Sequence, residues 1–108
     1  MTDMTYEVAD HIATITLNRP ERMNTISSAM LDELTRTLVR ANEDEGVRVV
    51  VLPGTGRAFC AGLDLNEAAS GTGIGGKDRR APATIDLRNT PPTVLFAMDK
   101  PVICALNG

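Results

Sequence analysis

The chain has 108 residues, 43% of them hydrophobic and 23% charged, with a formal net charge of −3. That is one domain's worth of ordinary globular sequence, long enough to bury a core. The acidic balance, pI near 5.0, excludes the basic surface that a nucleic-acid binder needs. No apolar run approaches the roughly 20 residues required to cross a bilayer. Met1-Thr2-Asp3-Met4-Thr5 carries neither a basic region nor an apolar leader segment, so we expect a cytoplasmic protein with no membrane partner. Cys60 and Cys104 lie far apart, and the single histidine, His11, cannot complete a zinc set with them. Both cysteines sit among small or apolar neighbours and are expected to behave as small buried hydrophobes. With aromatics at 3% and no Trp, the core must come from Val, Ile, Leu, Met and Ala.

Thr5–Asp10 and His11–Leu17 alternate polar and apolar residues. Period-2 alternation predicts two half-buried strands joined as a hairpin near Asp10-His11. Ala13, Ile15 and Leu17 suit the inner side, Ile12 breaks the parity, and His11 is expected to be exposed and without a role. Asn18-Arg19-Pro20-Glu21-Arg22 ends this pattern, because Pro20 cannot donate to a ladder and restricts Arg19. Ser27 or Ser28 can then cap a helix with Asp32 and Glu33 in its early turns. Met30, Leu31, Leu34, Leu38 and Ala41 recur at helical spacing as a core-facing stripe, and Gly46 is a natural stop.

Val47–Leu52 is β-branched and nearly unbroken, the pattern of a buried strand in a parallel sheet covered on both faces. Strand, strand, helix and strand in this order predict an α/β layer fold. The stretch Gly54–Asn66 follows, rich in Gly and Ala up to Gly62, with Leu63-Asp64 as the start of a helix. Unpaired N–H groups at such a start form an anion site that small neighbours let a ligand approach. It is not a dinucleotide fingerprint, since Phe59 stands where a third glycine belongs, and it has no Gly-Lys-Ser/Thr of a P-loop. By spacing alone it reads as a tight strand-to-helix connection. Residues 68–80 read as a mobile glycine-rich surface loop, whose Lys77, Arg79 and Arg80 read as a solvated charge run. Thr90-Pro91-Pro92 opens a second helix with Thr90 as cap; Val94, Leu95 and Met98 should face inward. Val102–Leu106 reads as a further buried strand.

Three segments together go beyond spacing. Gly56-Arg57-Ala58-Phe59-Cys60-Ala61-Gly62-Leu63-Asp64-Leu65 resembles the oxyanion loop of the enoyl-CoA hydratase/isomerase (crotonase) superfamily. Leu17-Asn18-Arg19-Pro20-Glu21-Arg22-Met23-Asn24 and Lys100-Pro101-Val102-Ile103-Cys104-Ala105-Leu106-Asn107-Gly108 agree with it in order and spacing. The resemblance covers nearly all of 1–108, as the amino-terminal part of a single domain whose family members are much longer. It implies a spiral of β-β-α units, here truncated, a trimeric or hexameric homo-oligomer, and an acyl-CoA thioester as substrate. No cofactor is implied, because coenzyme A belongs to the substrate. The implied oxyanion donor is the backbone N–H of Leu63, within a substrate-binding set of Met23, Ala61, Gly62, Leu63, Asp64 and Leu65. Asp64 also matches a helix-start position, which gives it a structural role.

The chemistry implied is hydration or isomerisation of an enoyl thioester, through an enolate-like species whose oxygen gains charge that fixed N–H donors stabilise. The resemblance places the second donor and the acid–base carboxylates past Asn107-Gly108. The Lys or Arg that the family often carries soon after the proline is preceded here by Glu21. With one histidine in a turn, a Ser-His-Asp hydrolase is not expected. The competing reading is a catalytically silent chain that acts through binding or oligomer assembly.

Overall fold

The computed structural model describes residues 3–62, Leu65 and 91–108. Its first two strands, β1 (Met4–Ala9) and β2 (Ile12–Leu17), pair antiparallel with Ala9 opposite Ile12 and Met4 opposite Leu17. Asp10 and His11 form the two-residue turn, with φ of 52° and 66°. Two successive positive φ values give the backbone twist that matches the strands it joins. His11 is exposed, and its Nδ1 lies 3.0 Å from the Gly46 carbonyl oxygen. As the alternation predicts, Ala13, Ile15 and Leu17 are buried, while Ile12 points away and is 39% exposed.

Helix α1 (Ser28–Glu43) carries the chain across to a parallel partner, as a parallel pair requires. Ser27 caps it: the Met30 N–H donates to Ser27 Oγ at 3.1 Å. Met30, Thr35, Leu38 and Ala41 are its buried residues; of the expected stripe, Leu31 and Leu34 are only half-buried, and Thr35 joins it, its Oγ1 donating back to the Leu31 carbonyl at 3.0 Å. The helix stops differently from expectation. Gly46 is not left-handed; instead Asp44 is the C-cap in extended conformation, and its Oδ1 accepts from the Gly46 N–H at 2.8 Å.

Strand β3 (Val49–Pro53) lies parallel to β2, with Val50 opposite Ala13. It starts two residues later than the apolar run, since the Val47 N–H is used in the turn by Asp44 O, although the Val47 side chain is buried. It is also not buried on both faces: Val50 and Leu52 are buried, while Val49, Val51 and Pro53 are half-buried. The reason is layering, because the described core gathers on one face, where Met30, Leu38 and Ala41 of α1 meet Met4, Ile15 and Val50 of the sheet.

Helix α2 (Pro91–Ala97) packs on α1, and strand β4 (Val102–Ala105) runs parallel to β3, completing the order β1-β2-β3-β4. Thr90, the expected cap, lies outside the described residues. Val94 and Met98 reach the core, but Leu95 is 39% exposed: positions i and i+4 share a helix face, and the next residue is turned about 100° from it. The expectation of a buried strand at Val102–Leu106 also fails. Val102 is half-buried, Ile103 is 55% exposed, and Cys104, Ala105 and Leu106 are exposed. β4 is the edge, and among the described residues only β3 pairs with it. Cys104 is therefore exposed and Cys60 only half-buried, so neither is the fully buried small hydrophobe that its neighbours suggested. Among the described residues, no helix is long and apolar enough to cross a membrane.

Candidate functional site

The connection between β2 and α1 is a short knot of backbone. Pro20–Arg22 form a 3₁₀ turn with proline at its start. The Arg19 carbonyl receives the N–H groups of both Arg22 and Asn24, each at 2.9 Å. Arg19 itself is held by its guanidinium, whose Nη1 donates to Thr25 O at 2.7 Å. Met23 and Asn24 both take positive φ, 53° and 55°. These two left-handed residues turn the chain so that Met23 is left 37% exposed while Asn24 is completely buried. Asparagine is among the few non-glycine residues that enter this region readily.

The loop after β3 is laced onto this knot. Thr55 N–H donates to Leu17 O at 2.9 Å, and Ala61 N–H donates to Met23 O at 3.0 Å. In the reverse direction Ile26 N–H donates to Gly62 O at 2.7 Å. Between these ties the Asn24 side chain reaches in, its Nδ2 donating to Thr55 O and Ala58 O, both at 2.9 Å. Asn107, past β4, closes the other side: Gly54 N–H donates to its Oδ1 at 3.1 Å, and its Nδ2 donates to Gly56 O at 2.9 Å.

Space around the loop is uneven. A Cβ on Gly54 would lie 2.7 Å from the Phe59 carbonyl oxygen, and one on Gly108 would run into that of Arg57. Gly62 is the opposite case, with φ of +118° and, among the described residues, nothing within 4 Å of where its Cβ would stand. The packed end of the loop therefore lies at Gly54 and the open end at Gly62.

The structure brings together three positions of the set read from sequence, Met23, Ala61 and Gly62. Leu65 is helical and 79% exposed. Leu63 and Asp64 lie outside the described residues, as does the loop 68–80 with Lys77, Arg79 and Arg80. Asn24 and Asn107 were present in the motifs, but sequence reasoning gave them no task. Their signal was slight: an asparagine closing a tight turn, and an Asn-Gly pair after a strand. Beside Met23, the exposed Arg57 places its Nη2 3.8 Å from Met23 Sδ.

Comparison with known proteins now bears on this site. The enoyl-CoA hydratase/isomerase family model matches residues 7–108. A probable enoyl-CoA hydratase of Rhodobacter capsulatus is 39% identical over 106 residues, covering 95% of this chain and 37% of that protein. The 1,2-epoxyphenylacetyl-CoA isomerase of Escherichia coli is 40% identical over 104 residues, covering 90% of this chain and 37% of that protein. Among solved structures, an enoyl-CoA hydratase from Mycobacterium marinum superposes with a TM-score of 0.80 at 33% identity, over 99% of this chain and 49% of that one. An enoyl-CoA hydratase/isomerase from Mycobacterium paratuberculosis gives 0.79 at 39% identity, over 99% and 41%. This chain thus spans between 37% and 49% of each of these proteins, and the part it spans has their α/β crotonase fold. On the family match and the shared fold together, the chain belongs to the enoyl-CoA hydratase/isomerase family.

Proposed function

We propose that this chain supplies the acyl-CoA-binding part, and one oxyanion donor, of an enoyl-CoA hydratase/isomerase-type active site. The observation that carries the reading is the loop from Gly54 to Gly62, tied at one end to Leu17 and at the other to Met23 and Ile26, with no described residue crowding Gly62. The residue after Gly62 is Leu63, whose backbone N–H would donate to the thioester carbonyl oxygen. As that oxygen gains charge in an enolate-like species, a fixed donor lowers the barrier, and loss of one such donor typically costs about 3 kcal/mol. Ala61 and Gly62 leave room for the thioester, and Met23, bonded through its carbonyl to Ala61, borders the same space. Asp64 and Leu65 complete the proposed substrate-binding set. We place the second donor and the acid–base carboxylates outside these 108 residues, take coenzyme A as part of the substrate with no further cofactor, and expect a cytoplasmic homo-oligomer.

Calorimetric titration with crotonyl-CoA and a hydration assay test this reading. We expect weak binding and no turnover by this chain. Leu63→Ala should be mild, since the donor is backbone, whereas Leu63→Pro should abolish binding by deleting the N–H. Binding unaffected by Leu63→Pro would remove the oxyanion role, and measurable hydration would overturn the placement of the acid–base groups. The exposed Ile103, Leu106 and Phe96 favour a second reading, a chain whose contribution is assembly; it requires that crotonyl-CoA not bind at all.

A further inference from the structure

Two asparagines from opposite ends of the sequence converge on the Gly54–Ala58 loop, and the inference drawn from them rests on the function proposed above. Asn24 is fully buried, and its amide is used completely: Oδ1 accepts from Arg19 N–H at 2.6 Å, and Nδ2 donates to Thr55 O and Ala58 O. Asn107 repeats the arrangement from the other side, accepting from Gly54 N–H and donating to Gly56 O. The carbonyls of Thr55, Gly56 and Ala58 are thus all occupied by side-chain N–H donors. A carbonyl oxygen left free near the loop's end would present its negative dipole to any oxyanion held there, and loose backbone would have to reorganise as charge develops. The asparagines remove both penalties.

We infer that Asn24 and Asn107 are positioning residues for the oxyanion loop: neither touches the thioester, and both act by fixing the backbone that leads to Leu63. A carboxamide suits each position, since it offers an acceptor and donor hydrogens on one planar group, of which Asn24 uses two donors and Asn107 one. Aspartate keeps the acceptor and loses the donors at nearly the same volume.

The test uses the full chain with Asn24→Asp and Asn107→Asp, and Lys100→Met as a control that destabilises the fold far from the loop. Amide exchange at Thr55 and Ala61, whose N–H groups are bonded to Leu17 O and Met23 O, reports on the loop; exchange in α1 reports on the fold. We expect both Asp variants to speed exchange at Thr55 and Ala61 and to weaken crotonyl-CoA binding by about tenfold or more, with α1 protection retained. Lys100→Met should leave the crotonyl-CoA affinity at the wild-type value. Should Asn24→Asp fail to fold, Asn107→Asp, at a half-buried site, decides the matter. Unchanged loop exchange with unchanged affinity overturns the inference, as does an equal loss of affinity in the Lys100→Met control. Absence of crotonyl-CoA binding by the wild-type chain would overturn the functional reading, and the exchange comparison would still show whether the asparagines hold the loop.

Discussion

The Lys100 ammonium donates to the carbonyl oxygen of Ala41 at 2.9 Å and also to that of Asp44. Both carbonyls lie at the C-terminal end of α1, where the helix dipole is negative, and each also accepts one backbone N–H, from Asp44 and Val47 respectively. The cation therefore caps a helix from the residue just before Pro101, at the entry to β4. Asp99 adds a second tie, its N–H donating to Asn42 Oδ1 at 3.1 Å. We expect Lys100→Met, which keeps most of the apolar stem, to destabilise the chain by about 1–2 kcal/mol. Urea unfolding should show a lower midpoint at unchanged slope; an unchanged midpoint would mean that water replaces the ammonium without loss.

Tyr6 presents the opposite situation. Its hydroxyl is buried with no hydrogen-bond partner among the described residues, while the Arg40 guanidinium lies 4.6 Å from the ring centroid. Burial, and next the Asp44 carboxylate, push the phenol above its ordinary 10.0, against the opposing pull of Arg40. The folded state therefore favours the protonated phenol. This contribution is fully present below about pH 10 and is lost as pH rises through the folded value. Tyr6→Phe deletes the unpaired hydroxyl and keeps the ring beneath Arg40. We expect stability near neutral pH to be unchanged or higher by up to about 1 kcal/mol, and the alkaline fall in stability to be shallower. A clear loss at neutral pH would show that the hydroxyl has a partner in solution.

What the sequence made legible was local. The hairpin, the Ser27 cap, the α1 stripe and the existence of β3 each follow from periodicity or from one side chain bonding a near neighbour. Asn24 was not legible, because its carboxamide bonds groups 5, 31 and 34 residues away, and nothing in a turn asparagine announces such reach. Asn107, with partners 53 and 51 residues away, was hidden in the same way. The apolar run at Val102–Leu106 gave the right element and the wrong burial. An edge strand and a central strand carry the same residues until neighbours are known.

That edge leads to a third expectation. Phe96 is 95% exposed, Leu106 75% and Ile103 55%, and β4 has an unpaired side among the described residues. An apolar unpaired edge is a template for pairing with a second copy. We expect sedimentation to show association that rises with concentration, and Ile103→Lys to reduce it by placing a charge on the edge. A monomer over the whole working range would count against self-association through β4.

The two ends of the glycine loop supply the sharpest contrast. At Gly54 a Cβ would meet backbone, Phe59 O at 2.7 Å and Phe59 Cα at 2.9 Å. Backbone cannot swing aside as a side chain can, so Gly54→Ala must displace the loop and should lower stability and crotonyl-CoA affinity together. At Gly62 the fold offers room and the difficulty is conformational: φ of +118° is glycine territory, and strain there is of order 1–3 kcal/mol. None of the described residues would crowd a Gly62→Ala methyl group, so an affinity loss beyond that strain points to the substrate. If the thioester enters beside Gly62, the variant should lose more affinity than its loss of stability accounts for, and Gly54→Ala should not. Unfolding midpoints and titrations on the same two proteins separate these effects. A Gly62→Ala chain that is strained yet binds crotonyl-CoA as the wild type does would assign the open space beside Gly62 to solvent.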